Sequence, residues 1–220
     1  TGSPIVTAFR WDTGVQVHWA SEPLEATGSV TTGTLSDPHV QDNNGGKQIA
    51  ARVAWRPVVG LIVGVSGAHG PYVASSVTRI LPPEVPRVDF SQQAFGFDVE
   101  YSRDYWLVRS EGIVSDWRLP AIRSPLITKS VRASSISIEG RYKLRPGLFA
   151  ALRYDYLGFS SVQGSTAMRP WDAPVTRLET GGGYYLMRNL IAKMTYQHDW
   201  RDAGLVRKLS VWSGQLQFWF

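Results

Sequence analysis

The sequence predicts an all-β protein, an antiparallel up-and-down transmembrane β-barrel with about eleven strands in this chain, and three observations predict it. Apolar and polar residues alternate along run after run of about 8–12 residues, which suits a tilted membrane strand better than the roughly 5–6 residues of a soluble one. The breaks between runs alternate between short and long. Aromatic residues gather towards both ends of the runs. No segment shows a convincing helical period.

Strands are read from alternation, and breaks from Gly, Pro, Asn and Asp. The first covers Phe9–Ala20, with Phe9, Trp11, Val15, Val17 and Trp19 opposite Arg10, Asp12, Gln16 and His18. The second, Leu24–Thr34, is rich in Thr and Gly. The third, Lys47–Arg56, sets Ile49, Ala51, Val53 and Trp55 against Gln48, Arg52 and Arg56. The fourth is Leu61–Ala68. In the fifth, Gln92–Tyr101, Phe95, Phe97, Val99 and Tyr101 oppose Asp98 and Glu100. The sixth, Tyr105–Ser115, has Trp106 and Val108 opposite Arg109 and Glu111. The seventh, Ser134–Leu144, sets Ile136, Ile138, Tyr142 and Leu144 against Glu139, Arg141 and Lys143. The eighth, Leu148–Leu157, sets Tyr154 and Tyr156 against Arg153 and Asp155. The ninth, Thr176–Leu186, sets Leu178 and Tyr184 against Arg177 and Glu179. The tenth, Leu190–Trp200, sets Met194, Tyr196 and Trp200 against Lys193, Gln197 and Asp199. The last, Leu209–Phe220, carries Trp212, Leu216, Phe218 and Phe220 on one face and Ser213, Gln215 and Gln217 on the other.

Short turns fall at Ser21–Pro23, Pro57–Gly60, Ser102–Asp104, Arg145–Pro146 and Met187–Asn189. Long loops fall at Leu35–Gly46, His69–Ser91, Asp116–Ala133, Gly158–Val175 and Arg201–Lys208. Membrane barrels sort their connections by end in this way, with short periplasmic turns and longer external loops. That sorting puts the Phe220 end in the periplasm. Trp19, Trp55, Tyr101, Trp106, Tyr142, Tyr184 and Phe218 lie near the short turns. Phe9, Trp11, Phe95, Tyr154, Tyr156, Tyr196 and Trp200 lie near the long loops. Rings with one polar edge settle at the two membrane interfaces, so two girdles are the expected result.

Composition bounds the rest. The 220 residues include nine Trp, nine Tyr, eight Phe and no Cys, so disulfides and thiolate metal sites are excluded. The net charge of +5 comes without a long basic run, which argues against a nucleic-acid partner. The longest apolar stretch, around Val58–Val65, is far too short for a membrane helix. The chain opens Thr1-Gly2-Ser3, and a signal peptide is expected to be absent or already removed.

The polar faces define the candidate site. Arg10, Asp12, Arg52, Arg56, Asp98, Glu100, Arg109, Glu111, Glu139, Arg141, Lys143, Arg153, Asp155, Arg177, Glu179, Lys193 and Asp199 are expected to line the interior. Charges cannot lie unpartnered in a dry interior, so this lining faces water or forms a paired network. The excess of Arg and Lys points to a mild anion preference in a water-filled pore. Gly181-Gly182-Gly183 inside the ninth strand marks either curvature or a place where something packs close. Asp37, Asp42, Asn43 and Asn44 could offer oxygens to a cation, but their spacing matches no Ca²⁺ loop, and a solvated surface loop is expected instead. The four histidines, His18, His39, His69 and His198, are scattered, and HExxH, GxSxG and GxxxxGK[ST] are all missing. Ser110 and Ser135 lie far from His198 by strand order. Neither an enzyme nor a cofactor is expected.

With strands, loops and girdles placed, the chain resembles Gram-negative outer-membrane porins over nearly its whole length. A closing strand ending in Phe220 is similar to theirs. The stretch D-N-N-G-G-K-Q-I-A-A-R-V-A-W-R-P at Asp42–Pro57 resembles the phosphate-selective (O/P-type) porin-like group, in which an Asp/Asn-Gly loop leads into a strand with an inward Arg. The inward-folded constriction loop and the arginine ladder of that group are not evident in the sequence. The resemblance implies passive diffusion of small hydrophilic solutes through the bacterial outer membrane, contact with its lipid and lipopolysaccharide, and assembly as a homo-oligomer, a trimer. Two other readings stay open: a structural or plugged barrel serving as scaffold for a partner protein, and a soluble β-sandwich binding module. An odd strand count with Phe220 in the periplasm would start the chain outside the cell, whereas single-chain bacterial barrels have even counts. The expectation is therefore a single barrel domain, residues 1–220, that is the C-terminal portion of a larger barrel lacking an odd number of upstream strands.

Overall fold

The computed structural model describes residues 11–35, 45–74, 90–119, 122–123, 126–127, 130–164, 166–202, 204–205 and 207–220. These form β1 (Gly14–Ser21), β2 (Leu24–Thr31), β3 (Gln48–Val58), β4 (Leu61–Pro71), β5 (Ser91–Arg103), β6 (Trp106–Arg118), β7 (Ile122–Arg123) and β8 (Leu126–Ile127). They continue with β9 (Ser130–Arg145), β10 (Leu148–Phe159), β11 (Ser161–Gln163), β12 (Met168–Pro170), β13 (Val175–Met187), β14 (Leu190–Arg201) and β15 (Lys208–Phe218). Eleven of them make one antiparallel sheet in the order β1-β2-β3-β4-β5-β6-β9-β10-β13-β14-β15. Every sequence-predicted strand is present in it. β1 and β15 are its two edges and do not pair with each other.

The differences from the sequence reading lie at the ends and in the loops. The first strand begins at Gly14 rather than Phe9. Phe9 and Arg10 lie outside the described residues, and Trp11 and Asp12 precede the strand. The closing strand ends at Phe218, so Trp219 and Phe220 follow it. β6, β9 and β10 run further into the predicted loops, and those loops contain β7, β8, β11 and β12. These four short strands make a separate sheet in the order β12-β11-β8-β7. Asp37, Asp42, Asn43 and Asn44 lie outside the described residues.

Local chemistry explains the turn ends. Gly60 closes the β3–β4 turn at φ 88°, and Gly147 closes the β9–β10 turn at φ 80°, both in the region where a Cβ is strained. At Gly60 a Cβ would also collide with the carbonyl oxygen of Ser102, whose own N–H donates to the Gly60 carbonyl at 2.6 Å. β3 tolerates Pro57 because its register with β4 shifts between Trp55 and Val58, where the missing N–H breaks no regular ladder.

Strict pairing sorts the side chains onto two faces, because directly paired residues in a sheet point the same way. One row runs Leu24, Trp55, Val63, Val99, Ser110, Ile138, Tyr154, Leu178, His198. All described girdle aromatics within strands share this face. Its large apolar side chains are open: Phe95 is 61 % exposed, Leu152 54 % and Met194 58 %. In a sandwich a second sheet would cover Trp11, Trp55, Trp106 and Trp200, yet they are 86 %, 49 %, 53 % and 39 % exposed. A regular apolar face of this extent is unstable against water and fits hydrocarbon.

Candidate functional site: the charged inner wall

The face opposite the aromatics carries the charges. Every sequence-predicted lining residue from Arg52 to Asp199 falls on it. Asp12 sits at the loop end beyond β1, where its carboxylate accepts hydrogen bonds from the Thr13 N–H at 2.9 Å, the Gly33 N–H at 2.9 Å and the Thr32 hydroxyl at 3.1 Å. It ties the start of β1 to the end of β2.

From the loop end to the turn end, the inner wall changes character. At the loop end of β6, β9 and β10 it is apolar, with Trp117, Ile113, Val131, Ala133, Leu157 and Phe159. The middle carries a belt of mixed sign. Glu100, Arg109, Glu139, Arg153 and Glu179 are direct partners in that order across β5, β6, β9, β10 and β13. The next row reads Asp98, Glu111, Ser137, Asp155, Arg177, Asp199. The turn end is basic: Arg141 pairs with Ala151, and Lys143 with Phe149. Lys193 pairs with Gly183 and Gln215. Among the described residues no carboxylate is bonded to Arg141, Lys143 or Lys193.

Five ion pairs hold the belt. Arg52 grips Asp98 through two bonds of 2.6 and 3.1 Å. Arg109 donates to Glu100 at 2.7 Å, and Arg153 to Asp155 at 3.0 Å. Arg177 holds Asp199 at 2.9 and 3.2 Å, helped by Gln197. Arg56 pairs with Glu25, which His18 approaches at 3.9 Å. The alternation scheme passed over Glu25 because β2 is so rich in Thr and Gly; it is the one belt acid missed, and its partner Arg56 was the available signal. Side chains in these pairs stay partly exposed, Arg52 at 41 % and Asp98 at 29 %.

Gly64 makes room for this network. Arg52 on β3 reaches Asp98 on β5 across Gly64 of β4, where any Cβ would collide with both side chains. In the Gly181–Gly183 triplet the register does not shift, so it forms no bulge. The ring of Phe149 lies over Gly183, 2.6 Å from where a Cβ would be, and the Arg141 guanidinium stacks 5.2 Å from the centre of that ring. The triplet serves close packing.

The most protected pair is Arg177–Asp199, with the carboxylate side chain 16 % exposed. Arg177→Met is expected to cost about 1–3 kcal/mol, because a shielded carboxylate loses its main donor. Adding Asp199→Asn should recover part of that loss. Urea unfolding in detergent micelles of both single variants and the double variant measures it; additive losses would mean the two residues do not act as a pair.

His198 lies on the apolar face, with its Nδ1 2.7 Å from the Ser210 hydroxyl. Ser110 shares its pairing row four strand spacings away, roughly 19 Å at ordinary sheet geometry. The two cannot act together. Among the described residues no cluster of His, Asp or Glu could hold a metal.

Neither a protein-family model nor a curated protein matches the chain. Solved structures do. OmpT, an outer membrane protein of Vibrio cholerae, superposes with a TM-score of 0.64 at 14 % identity, over 94 % of this chain and 64 % of its own. A porin structure superposes at 0.62 and 10 % identity, over 94 % of this chain and 61 % of that one. OmpF of Salmonella typhi superposes at 0.59 and 14 % identity, over 89 % and 56 %. The fold is that of an outer-membrane β-barrel. The chain spans less than two thirds of the length of each of these structures.

Proposed function

We propose that this chain forms the wall of a porin-like channel in the bacterial outer membrane, through which small hydrophilic solutes diffuse passively, with a mild preference for anions. The observation that carries this reading is the two-faced sheet: an open apolar face suited to lipid and lipopolysaccharide, backed by a partly hydrated belt of ion pairs. Such a belt is at home around water and costly in a dry interior. The anion preference is supported by the turn end, where Arg141, Lys143 and Lys193 meet no bonded carboxylate among the described residues. It is also in keeping with the O/P-type likeness of Asp42–Pro57. In this reading the short turns and the Phe220 end face the periplasm, the long loops face outward, and the role is transport and not catalysis. A homo-oligomer is part of the proposal, supported by the fold shared with OmpT of Vibrio cholerae, which is also known in a trimer form.

Planar bilayers test it. The folded protein is expected to give steady stepwise current, with a reversal potential in a KCl gradient that favours chloride. The triple variant Arg141→Gln, Lys143→Gln, Lys193→Gln should move that potential towards non-selectivity while current persists. A plugged scaffold has its own support, since loops pack on the inner wall. It predicts no current at all.

A further inference from the structure

At the turn end of the inner wall, a cavity of about 470 Å³ opens beside the β9–β10 turn. Its charged lining is Arg141, Lys143 and Arg145, alternate residues of β9. The rings of Tyr105, Phe149 and Tyr185 line it as well. Among the described residues no acid lines the cavity, and no carboxylate is bonded to any of the three cations.

The cavity has a fixed frame. The Lys143 N–H donates to the Tyr105 carbonyl at 2.9 Å, and the Tyr185 N–H to the Gly147 carbonyl at 2.9 Å. The β9–β10 register slips between Leu148 and Phe149, which pairs Arg145 with Leu148 and Lys143 with Phe149. The Phe149 ring is seated over Gly183, with the Arg141 guanidinium 5.2 Å from its centre. A guanidinium stacked on a ring keeps its N–H edge available, and that edge matches a carboxylate through two parallel bonds.

Three cations without an acid repel one another and attract an anion. An inorganic anion would meet the cations and leave the rings unused. A flat ring bearing carboxylates uses both, because aromatic rings favour edge-on and offset contacts with one another. Cations two residues apart on a strand stand roughly 7 Å apart, close to the reach of a single ring with an acid at each end.

We propose that this cavity is a binding site for aromatic carboxylates, in which Arg141 and Lys143 bond the acid groups and Tyr105 and Tyr185 flank the ring. It names a solute class for the anion-preferring channel and rests on that reading for its role.

Calorimetry of the folded protein in detergent micelles reads binding without requiring current. Terephthalate is expected to bind about threefold or more tightly than its saturated cyclohexane counterpart, which has the same charge and no flat ring. R141Q should weaken terephthalate about tenfold or more, because a charge-assisted pair is lost. Y185L should erase the preference for the flat ring while inorganic phosphate still binds, which separates a lost ring contact from a lost fold. R188Q, in the next turn and outside the cavity, should bind like the parent. Equal affinity for the flat and the saturated ring would overturn the aromatic class, and R141Q binding like the parent would overturn the site. Stepwise current from a protein that binds no terephthalate would overturn the site and leave the channel reading standing. Binding without any current in planar bilayers would support the site and overturn the channel reading.

Discussion

Replacing Trp117 by alanine is expected to cost about 3–5 kcal/mol. Trp117 is 5 % exposed, in a sheet whose side chains are otherwise mostly half-open. It belongs to the buried cluster on which the wall residues Ile113 and Leu157 and the loop residues Tyr72, Val162 and Trp171 pack, and its ring meets that of Trp171 at 5.9 Å. Truncation therefore opens a cavity that β6 and β9 cannot close, because both are held by ladder bonds to their neighbours. The same change frees the loops. Two readings follow in one preparation: a lower urea midpoint in micelles, and new cleavage by protease within the β10–β13 connection. A variant unfolding at the parent midpoint, with loops still protected, would mean that the cluster contributes little and that strand pairing alone holds the loop end.

The main sheet was legible in the sequence because each strand repeats one rule, and a period of two survives local exceptions. β9 shows this: Ile136 and Ile138 against Ser137 and Glu139 leaves no other register that keeps one face apolar. The mixed-sign ladder was legible for the same reason, although only part of its register was. Of Glu139, Arg141 and Lys143 on β9, only Glu139 meets a charged partner on β10, Arg153, while Arg141 and Lys143 stand against Ala151 and Phe149. Register between strands depends on turn geometry and bulges, such as the shift near Leu148, which no single-strand pattern reveals.

The packed loops were not legible at all. Trp117, Phe159 and Trp171 fall in stretches that the sequence reads as long loops, and alternation says which face a strand residue takes but nothing about what returns to cover it. Their signal was composition: an inner face that turns from Glu111 and Asp155 to Ile113, Trp117, Leu157 and Phe159 cannot stay in water. The same alternation overran at the ends. Among the described residues Trp11–Thr13 precede β1, and Trp219 and Phe220 follow β15.

Arginine at position 138 should prevent or severely weaken assembly, whereas arginine at position 137 should be tolerated. The two residues are neighbours near the middle of β9, on opposite faces. Ile138 is 44 % exposed on the aromatic face, paired with Ser110 and Tyr154. If that face meets hydrocarbon at mid-depth, Ile138→Arg costs about 2–4 kcal/mol, since the guanidinium must be dehydrated or must thin the bilayer to reach water. Ser137 pairs with Glu111 and Asp155 on the charged wall. Ser137→Arg places a cation beside two acids near water, so its cost should stay within about 1 kcal/mol. Folding yield into lipid vesicles, followed by heat-modifiable mobility in gels, reads both variants side by side. The contrast matters more than either value, because a soluble sheet buried against another protein would punish 138 in detergent-free buffer as well and would gain nothing from lipid. Equal tolerance at the two positions would remove the lipid-facing assignment of the aromatic face, and with it the reason to read the opposite wall as lining water.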